Sequence, residues 1–238
     1  AAFKTFVLDT HPIKSTLVWS IIVAMTQLMV QVDIKFGQGV FKDIAVGKYH
    51  TPKEEQRVFM FLDINSSTTI AERLGDETYH RMLRDFFADI TNPILENHGS
   101  IYQYVGDEVI VSWEYKRGIE DAASVNCFFD LKEHIQEQRE KYLKKYGLVP
   151  SFKAGIHCGD VVVGEVGIIK RDITYSGDVL NTTSRIQGMC KQFNEEVIVS
   201  EDLISRIRLA GRFTTAMLGS IKLRGKEKEL SLSSVRLA

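Results

Sequence analysis

The alternation of apolar and polar residues along the chain predicts both strands and helices. The apolar run RVFMFLDI at residues 57–64 has the length and the branched and aromatic content of a buried strand. Residues 102–113, YQYVGDEVIVSW, alternate on both sides of Gly106, which predicts a β-hairpin. Apolar residues between Tyr79 and Ile90 recur instead at helical spacing, so this stretch predicts an amphipathic helix.

The remainder of the chain continues the same mixture of elements. A capping box at Thr69 and Glu72 predicts that a helix begins there, and Pro93 predicts a kink or a new turn in the helix that follows. Further predicted elements are a helical stretch at 119–146, two strands at 152–167 around a tight turn at residues 158–160, a short strand at 172–175, a helix at 178–193, a strand at 197–200, a short helix at 200–207 and a hairpin from residue 214 that closes at Gly225. This order predicts an α+β fold in which helices pack on a mainly antiparallel sheet.

The N-terminal part of the chain has a different pattern. Residues 15–32, STLVWSIIVAMTQLMVQV, contain no charged side chain. As a helix they would span about 27 Å, just short of the hydrocarbon core of a bilayer. Their polar members leave a buried or dimer-forming amphipathic helix as the alternative to a membrane helix. Basic residues are more frequent after this stretch than before it, which predicts that the C-terminal part is cytoplasmic if the helix spans a membrane.

Composition excludes several classes of function. The chain has 238 residues and a formal net charge of -1, so its charge balance predicts no attraction to nucleic acid. The three cysteines, Cys127, Cys158 and Cys190, are far apart and lack CxxC spacing. This pattern predicts a reducing compartment and no zinc site.

Two acidic residues are the first candidates for chemistry. Asp63 ends the first predicted strand and Asp107 lies in the turn of the 102–113 hairpin. Taken alone, each fits ordinary helix capping or turn chemistry. Taken together, a strand end and a hairpin tip can bring two carboxylates to the same divalent cation. The Ser/Thr-rich loop 65–68 precedes a predicted helix N-terminus, where phosphates bind well, so the combination predicts a nucleoside triphosphate with two metal ions.

Two basic segments are the second group of candidates. In NTTSR, Asn181 and Arg185 are four residues apart and share one face of the predicted helix. Arginine suits the stabilisation of charge on a transferring phosphoryl group, whereas a solvated surface arginine is the alternative. The segment LRGKEK at residues 223–228 predicts a basic turn, for which solvated charge is the simpler interpretation.

Four segments, FLDINSSTTIAERLG, YQYVGDEV, GIHCGDVVVGEVG and ITYSGDVLNTTSRI, resemble in order and spacing the catalytic domain of class III nucleotidyl cyclases. The resemblance covers roughly residues 56–238 and implies a ferredoxin-like core. The hydrophobic helix followed by KFGQGV and GKYHTPKEE further resembles bacterial membrane-bound adenylate cyclases. This implies a membrane-anchor segment at 1–34, which would contain the last transmembrane helix, a coupling linker at 35–55 and a catalytic domain at 56–238. The expected location is the cell inner membrane, with the catalytic domain in the cytoplasm.

The resemblance implies roles for individual residues. Asp63 and Asp107, with the carbonyl of Ile64, would hold two divalent ions, Mg²⁺ or Mn²⁺. Asn181 would position the ribose of the nucleotide, and Arg185 would stabilise charge that develops at the α-phosphate. The metal aspartates come from one subunit in this family and the other residues from its partner, so a homodimer with two shared active sites is implied.

The phosphate and base contacts are also implied, with departures from the family pattern. Ser66, Ser67 and Thr68 would bind phosphates through the backbone, although the family frequently has Gly-Phe at 66 and 67. Arg224 stands where the family usually has lysine, with Lys226 as the second candidate.

Gln103 and Thr174 occupy the positions that contact the base. Thr174 fits adenine, whereas the amide of Gln103 can donate to adenine or accept from guanine. ATP is therefore the expected substrate, with a guanylate cyclase as the alternative.

Two further alternatives remain at this point. A diguanylate cyclase carries GGDEF where this hairpin has VGDEV, but it lacks the NTTSR helix. A non-catalytic cyclase-like module that binds nucleotide usually loses a metal aspartate or the arginine, and this chain retains both. In this interpretation Glu108 is a solvated neighbour of Asp107 and not a ligand. The activating signal, the number of upstream helices and the preferred metal stay open.

Overall fold

A computed structural model describes residues 10–36, 47–168, 171–209, 211–222 and 229–238, and for residues 10–12, 32–36 and 221–222 it describes the backbone alone. The chain divides into two compact units, Ala1–Thr51 and Pro52–Ala238.

The described part of the first unit is dominated by one helix, α1 (Thr10–Phe36). Its segment Ile13–Gln31 is long and apolar enough to cross a membrane, by length and composition, and none of that segment is buried within the chain. The hydroxyl of Thr26 donates to the carbonyl oxygen of Ile22 at 2.9 Å. This bond satisfies one of the polar side chains within the helix itself, as an apolar environment requires.

The second unit is built on one sheet of eight strands. In the chain order the strands are β1 (Lys53–Ile64), β2 (Ser100–Val105), β3 (Glu108–Glu114), β4 (Phe152–Val166), β5 (Asp172–Ser176), β6 (Val197–Ser200), β7 (Phe213–Lys222) and β8 (Glu229–Leu237). Their spatial order is β2-β3-β1-β4-β6-β8-β7, and β5 pairs with the end of β4. Among the described strands only β4 and β6 pair in parallel, so the predicted mainly antiparallel sheet is confirmed.

Helices connect the strands and cover the sheet. They are α2 (Ser67–Leu74), α3 (Asp76–Glu96), α4 (Tyr115–Ile119), α5 (Ala123–Glu137), α6 (Arg139–Tyr146), α7 (Asp178–Phe193) and α8 (Glu201–Ile204), with a 3₁₀ turn at Glu120–Ala122. The predicted helix at 178–193 and the predicted strand at 197–200 agree with α7 and β6 at both ends. The predicted hairpin at 102–113 is β2 and β3, and the predicted strand at 172–175 is β5.

One face of the sheet forms the main hydrophobic core with α3 and α5. Alternate residues of β1 point to this face and pack with apolar residues at helical spacing on the two helices: Val58, Met60, Leu62 and Ile64, with Met82, Phe86, Ile90, Ile94, Phe128 and Leu131. All of these side chains are buried. Each contributes about 1.5–3 kcal/mol on removal from water, so this face supplies most of the packing free energy.

Helix α7 packs on the opposite face, where the backbones come unusually close. A Cβ atom at Gly155 of β4 would lie 2.3 Å from the backbone nitrogen of Gln187 and 2.8 Å from the carbonyl oxygen of Thr183. Only glycine fits this contact. The close approach brings the buried side of α7 against β4 and, beyond it, β1.

Two local predictions were wrong. The segment at 152–167 forms one continuous strand, β4 (Phe152–Val166), rather than two, because β1 pairs with its residues 152–163: Val58 opposes Cys158 and Gln56 opposes Asp160. A Gly-Asp pair turns the chain only where nothing holds it extended. The capping box is also absent: α2 begins at Ser67, and its N-cap, Ser66, adopts a left-handed backbone (φ 56°) without a side-chain cap. Helix α3, finally, continues through Pro93 to Glu96.

Candidate active site

The two candidate metal aspartates come together through strand register. On β1, Asp63 opposes Glu108 of β3 and Lys153 of β4. Asp107 precedes Glu108 in the short β2–β3 turn, which Gly106 makes possible with a φ of 64°. The pairing of β1 with β3 therefore places the hairpin tip beside the end of β1. The two carboxylates are close enough to interact with each other.

The charge at this position is only partly balanced. Burial, and after it the neighbouring Asp107 carboxylate, raise the pKa of Asp63 above its usual value. Lys153 Nζ lies 3.5 Å from Asp63 Oδ2, and Gln187 Nε2 donates to the same oxygen at 3.1 Å; both act in the opposite direction. The Oδ2 atom of Asp107 is buried without a hydrogen-bond partner in the described part of the chain. A buried, unpartnered carboxylate oxygen is costly unless a cation binds there.

The structure corrects the interpretation of Glu108, the third carboxylate in this group. Its side chain is half-buried rather than solvated. Burial first, and then the charges of Asp63 and Asp107, raise the pKa of Glu108 to about 7. Within the described ranges, no three His, Cys, Asp or Glu side chains form a cluster able to hold a metal ion by themselves. Two carboxylates completed by a backbone carbonyl, water and substrate phosphate are the donor set that Mg²⁺ accepts, and Asp63, Asp107 and Ile64 fit it.

The loop after Ile64 carries the candidate phosphate contacts. The nitrogen of Asn65 donates to the carbonyl oxygen of Ser151 at 2.9 Å, and its side-chain Nδ2 donates to Ser151 Oγ at 3.1 Å. These bonds hold the chain where Ser66, Ser67 and Thr68 lead into α2. The N–H groups in the first turn of a helix lack intrahelical acceptors, so this loop offers donors beside Asp63.

Three side chains at this site were not predicted as functional. Tyr79 was assigned to the core of its helix, yet its pKa is raised first by burial and then by Asp107, and it also interacts with Ser67. Lys153 and Gln187 contact Asp63 directly. One feature of the sequence could have indicated Gln187: it is a polar residue on the buried side of an amphipathic helix, two positions after Arg185.

The candidate base contacts lie on strands that are not neighbours in the sheet. Gln103 is exposed on β2, just after a bulge, and Thr174 Oγ1 on β5 donates to the Gly164 carbonyl oxygen at 3.4 Å. Adjacent residues join the two strands: the rings of Tyr102 and Tyr175 lie 4.7 Å apart, and the Tyr175 nitrogen donates to the Tyr102 hydroxyl at 3.4 Å. This pair places the segments that carry Gln103 and Thr174 beside each other.

Asn181 and Arg185 lie on α7 away from the sheet. Asn181 is exposed and Arg185 is half-buried, and within the described residues neither side chain forms a hydrogen bond or an ion pair. Along a helix, Arg185 and Gln187 point about 200° apart. The helix thus directs Gln187 to the Asp63 of its own chain and Arg185 elsewhere. Arg224 and Lys226 lie outside the described residues.

Comparison with known proteins shows the family of the chain. The family profile described as "Adenylate and Guanylate cyclase catalytic domain" matches residues 49–232. The chain is 39% identical over 199 residues to "Adenylate cyclase 2" of Rhizobium meliloti (strain 1021), covering 84% of this chain and 55% of that protein. It is 29% identical to "Adenylate cyclase" of Anabaena cylindrica, with 84% of this chain and 39% of that protein covered.

Solved structures show the same fold. A bacterial light-regulated adenylyl cyclase has a TM-score of 0.76 at 20% identity and covers 96% of this chain and 65% of its own. The adenylyl cyclase CyaB of P. aeruginosa has a TM-score of 0.68 at 21% identity, covering 79% and 96%. The guanylyl cyclase Cya2 has a TM-score of 0.66 at 17% identity, covering 77% and 92%. Fold alone therefore does not separate the two activities.

Proposed function

The chain belongs to the adenylate and guanylate cyclase catalytic-domain family, and from that premise we propose that it converts ATP to 3′,5′-cyclic AMP and pyrophosphate. The observation that carries the proposal is the pair Asp63 and Asp107, brought together by strand register with one carboxylate oxygen buried and unpartnered. Such a site is suited to bind a divalent cation, which can in turn bind the phosphates of a nucleoside triphosphate.

Asp63, Asp107 and the Ile64 carbonyl would hold two divalent ions. When bound, these ions lower the pKa of the ribose 3′-hydroxyl and offset charge on the departing pyrophosphate. The chain's own contribution is to orient the reactants. The backbone of Ser66, Ser67 and Thr68 binds the phosphates at the start of α2, and Arg224 and Lys226 are proposed for the outer phosphates.

Asn181 and Arg185 are proposed to orient the ribose and to stabilise charge on the α-phosphate. Their position supports a homodimer with shared sites. Both side chains lie on α7, yet the same helix directs Gln187, and not Arg185, to the Asp63 of its own chain. A second copy can supply the missing arginine to each metal pair.

Rescue between defective chains tests the shared site. Asp63→Ala and Arg185→Ala chains should each be inactive alone and restore roughly a quarter of the wild-type activity when they are mixed, since half of the dimers are mixed and each contains one complete site. The measurement is cyclic nucleotide formation after the two chains are refolded together. An inactive mixture that contains heterodimers would show that one chain supplies all the catalytic groups.

ATP is proposed over GTP on two grounds. Thr174 fits an adenine, and Gln103 can donate to one. The 39% identical relative is an adenylate cyclase, whereas the receptor-type guanylate cyclase gcy-6 of Caenorhabditis elegans is 27% identical. The chain spans about half the length of the first of these relatives, so the activity of the whole protein is part of the proposal.

Part of the first unit is proposed as a membrane anchor. Residues 1–34 would contain a transmembrane helix and residues 35–55 a coupling linker, with the catalytic domain from residue 56 on the cytoplasmic side of the inner membrane. The support is α1, whose apolar segment Ile13–Gln31 has a mean hydropathy of 1.6 and lies exposed. A catalytic dimer would then be joined to the bilayer through two such helices.

Product identification tests the activity. The protein is incubated with ATP or GTP and with Mg²⁺ or Mn²⁺, and the cyclic product is identified by mass spectrometry. Cyclic AMP is expected from ATP, with little product from GTP. Cyclic GMP as the main product would make the protein a guanylate cyclase, and nucleotide binding without any cyclic product would make it a non-catalytic regulatory module.

A further inference from the structure

Two side chains of the second unit hold the Asp63 carboxylate directly. Its Oδ2 atom accepts a hydrogen bond from Gln187 Nε2 at 3.1 Å and lies 3.5 Å from Lys153 Nζ. Gln187 is 7% exposed and the Lys153 side chain 18% exposed, so both contacts are shielded from water. Contacts of this kind restrict the carboxylate to one orientation.

The fold explains why both residues reach Asp63. Lys153 opposes Asp63 in the register of β4 with β1, two residues before Gly155. A Cβ at Gly155 would lie 2.8 Å from Gln187 Cα, so α7 and β4 are in contact at the level of this residue. Gln187 therefore reaches across β4 to the neighbouring strand. The same helix carries Arg185 about half a turn and Asn181 about one and two-thirds turns before Gln187.

We propose that Gln187 and Lys153 are positioning residues for the metal site, with opposite effects on metal affinity. Gln187 holds the Asp63 carboxylate in the orientation that accepts the ion. Lys153 neutralises the carboxylate when no metal is present and opposes the ion electrostatically when it binds. This inference rests on the proposed function, because it assigns roles toward the cation of that site.

The arrangement also joins the two active sites of the proposed homodimer. The side of α7 that carries Asn181 and Arg185 completes one site, while Gln187 on the other side of the same helix holds the metal ligand of the second.

Direct Mn²⁺ binding tests the roles without relying on catalysis. Mn²⁺ affinity is measured by electron paramagnetic resonance on the full chain without nucleotide, beside its melting temperature. Gln187→Met should weaken Mn²⁺ binding by about 3- to 10-fold because the ligand loses its orientation. Lys153→Met should strengthen it by roughly 3- to 10-fold because a competing positive charge is removed.

Matched variants on the exposed side of α7 are the controls. Gln192→Met and Lys191→Met make the same chemical changes away from the site and should leave Mn²⁺ affinity unchanged. General damage to the fold would weaken binding in both site variants, so the opposite signs are diagnostic. Wild-type binding with both site variants equal to their controls would overturn this inference alone, and so would a wild-type protein that binds no Mn²⁺ but forms cyclic nucleotide. A wild-type protein that neither binds Mn²⁺ nor forms cyclic nucleotide would overturn the proposed function as well.

Mixed dimers test on which chain Gln187 acts. In a dimer of an Asp63→Ala chain with an Arg185→Ala chain, the complete site takes its metal ligands from the Arg185→Ala chain. Gln187→Met should lower activity and Mn²⁺ affinity by about 3- to 10-fold when it is added to that chain, and should have little effect on the other. A larger loss from the other chain would show that Gln187 supports α7 rather than Asp63, and would overturn the assignment.

Discussion

Two pairs of aspartates in the second unit differ in how the chain surrounds them. Asp85 and Asp89 on α3 face α6, where the segment KYLKKY supplies one lysine and one tyrosine to each. Lys145 Nζ and the Tyr146 hydroxyl lie 2.6 and 2.8 Å from Asp85 Oδ2. Lys141 Nζ donates to both carboxylate oxygens of Asp89 at 2.6 and 2.7 Å, and the Tyr142 hydroxyl donates to Asp89 Oδ2 at 2.7 Å. In the other pair, among the described residues, Asp63 contacts one lysine and one amide, and Asp107 Oδ2 is buried without a hydrogen-bond partner.

The pKa directions follow from these partners. Hydrogen bonding to Lys145 is the largest influence on Asp85 and lowers its pKa, whereas burial and the charge of Asp107 raise the pKa of Asp63. The tyrosines of the first pair respond as expected: burial and then Asp85 raise the pKa of Tyr146 to about 12. A carboxylate pair whose charge is neutralised by lysines of the same chain stabilises the fold. A pair whose negative charge is only partly neutralised is suited to bind an external cation.

The largest expected effect separates activity from stability. Asp63→Ala or Asp107→Ala should reduce cyclic nucleotide formation by at least about 1000-fold while the domain remains folded. Asp89→Ala should instead retain activity per folded molecule and lose roughly 2–4 kcal/mol of stability, since the buried Tyr142 hydroxyl and Lys141 lose their partner. Assays of cyclic nucleotide formation measure the activity, and urea unfolding measures the stability. Full activity in the Asp107→Ala variant would remove the metal assignment.

The second test concerns the packing of α7 on the sheet, because this packing brings Gln187 to Asp63 and not to the Asp85–Asp89 pair. Gly155→Ala should destabilise the domain by about 2–4 kcal/mol, since the new methyl group overlaps the Gln187 backbone. Gly188→Ala is the matched control: outside the adjacent turns of its own helix no atom of the described residues lies within 4 Å of the added carbon, so it should stabilise α7 by about 0.5–1 kcal/mol. Equal urea midpoints for the two variants would show that the close contact does not exist in solution.

The smallest expected effect is on melting temperature, which should change in opposite directions when an aspartate of each pair is replaced by asparagine. In the metal-free protein, Asp63→Asn should raise the melting temperature by removing repulsion from Asp107, and Asp85→Asn should lower it by weakening the contact with Lys145. Each change corresponds to roughly 1 kcal/mol. A decrease in both variants would mean that the two pairs are equally satisfied.

The pH dependence follows from the Asp85 shift. Because the folded-state pKa of Asp85 lies below its ordinary value, its stabilisation is complete above the unfolded-state pKa and is lost as the pH falls through the folded-state pKa. The difference in melting temperature between wild type and Asp85→Asn should therefore shrink in acid. A difference that stays constant down to low pH would contradict this role.

The sequence by itself determined the local elements and the main candidates. Helical and alternating periodicities depend on neighbours a few residues away, so α7, β6 and the β2–β3 hairpin were predicted with correct type and place. The pairing of Asp63 with Asp107 was also expected, because a strand end and a hairpin tip are both readable from residue order. Their relation to a metal and to a partner chain stays a prediction.

Only the tertiary structure decided the features that depend on residues distant along the chain. The continuous β4 requires β1 as its partner, which overrides the local turn preference at Gly159 and Asp160. Glu108 is half-buried because β1 places Asp63 opposite it. Gln187 contacts Asp63, 124 positions away, because Gly155 lets α7 approach the sheet. Hydrogen bonds and charges act over a few ångströms in space, and such distances are set by packing rather than by position in the sequence.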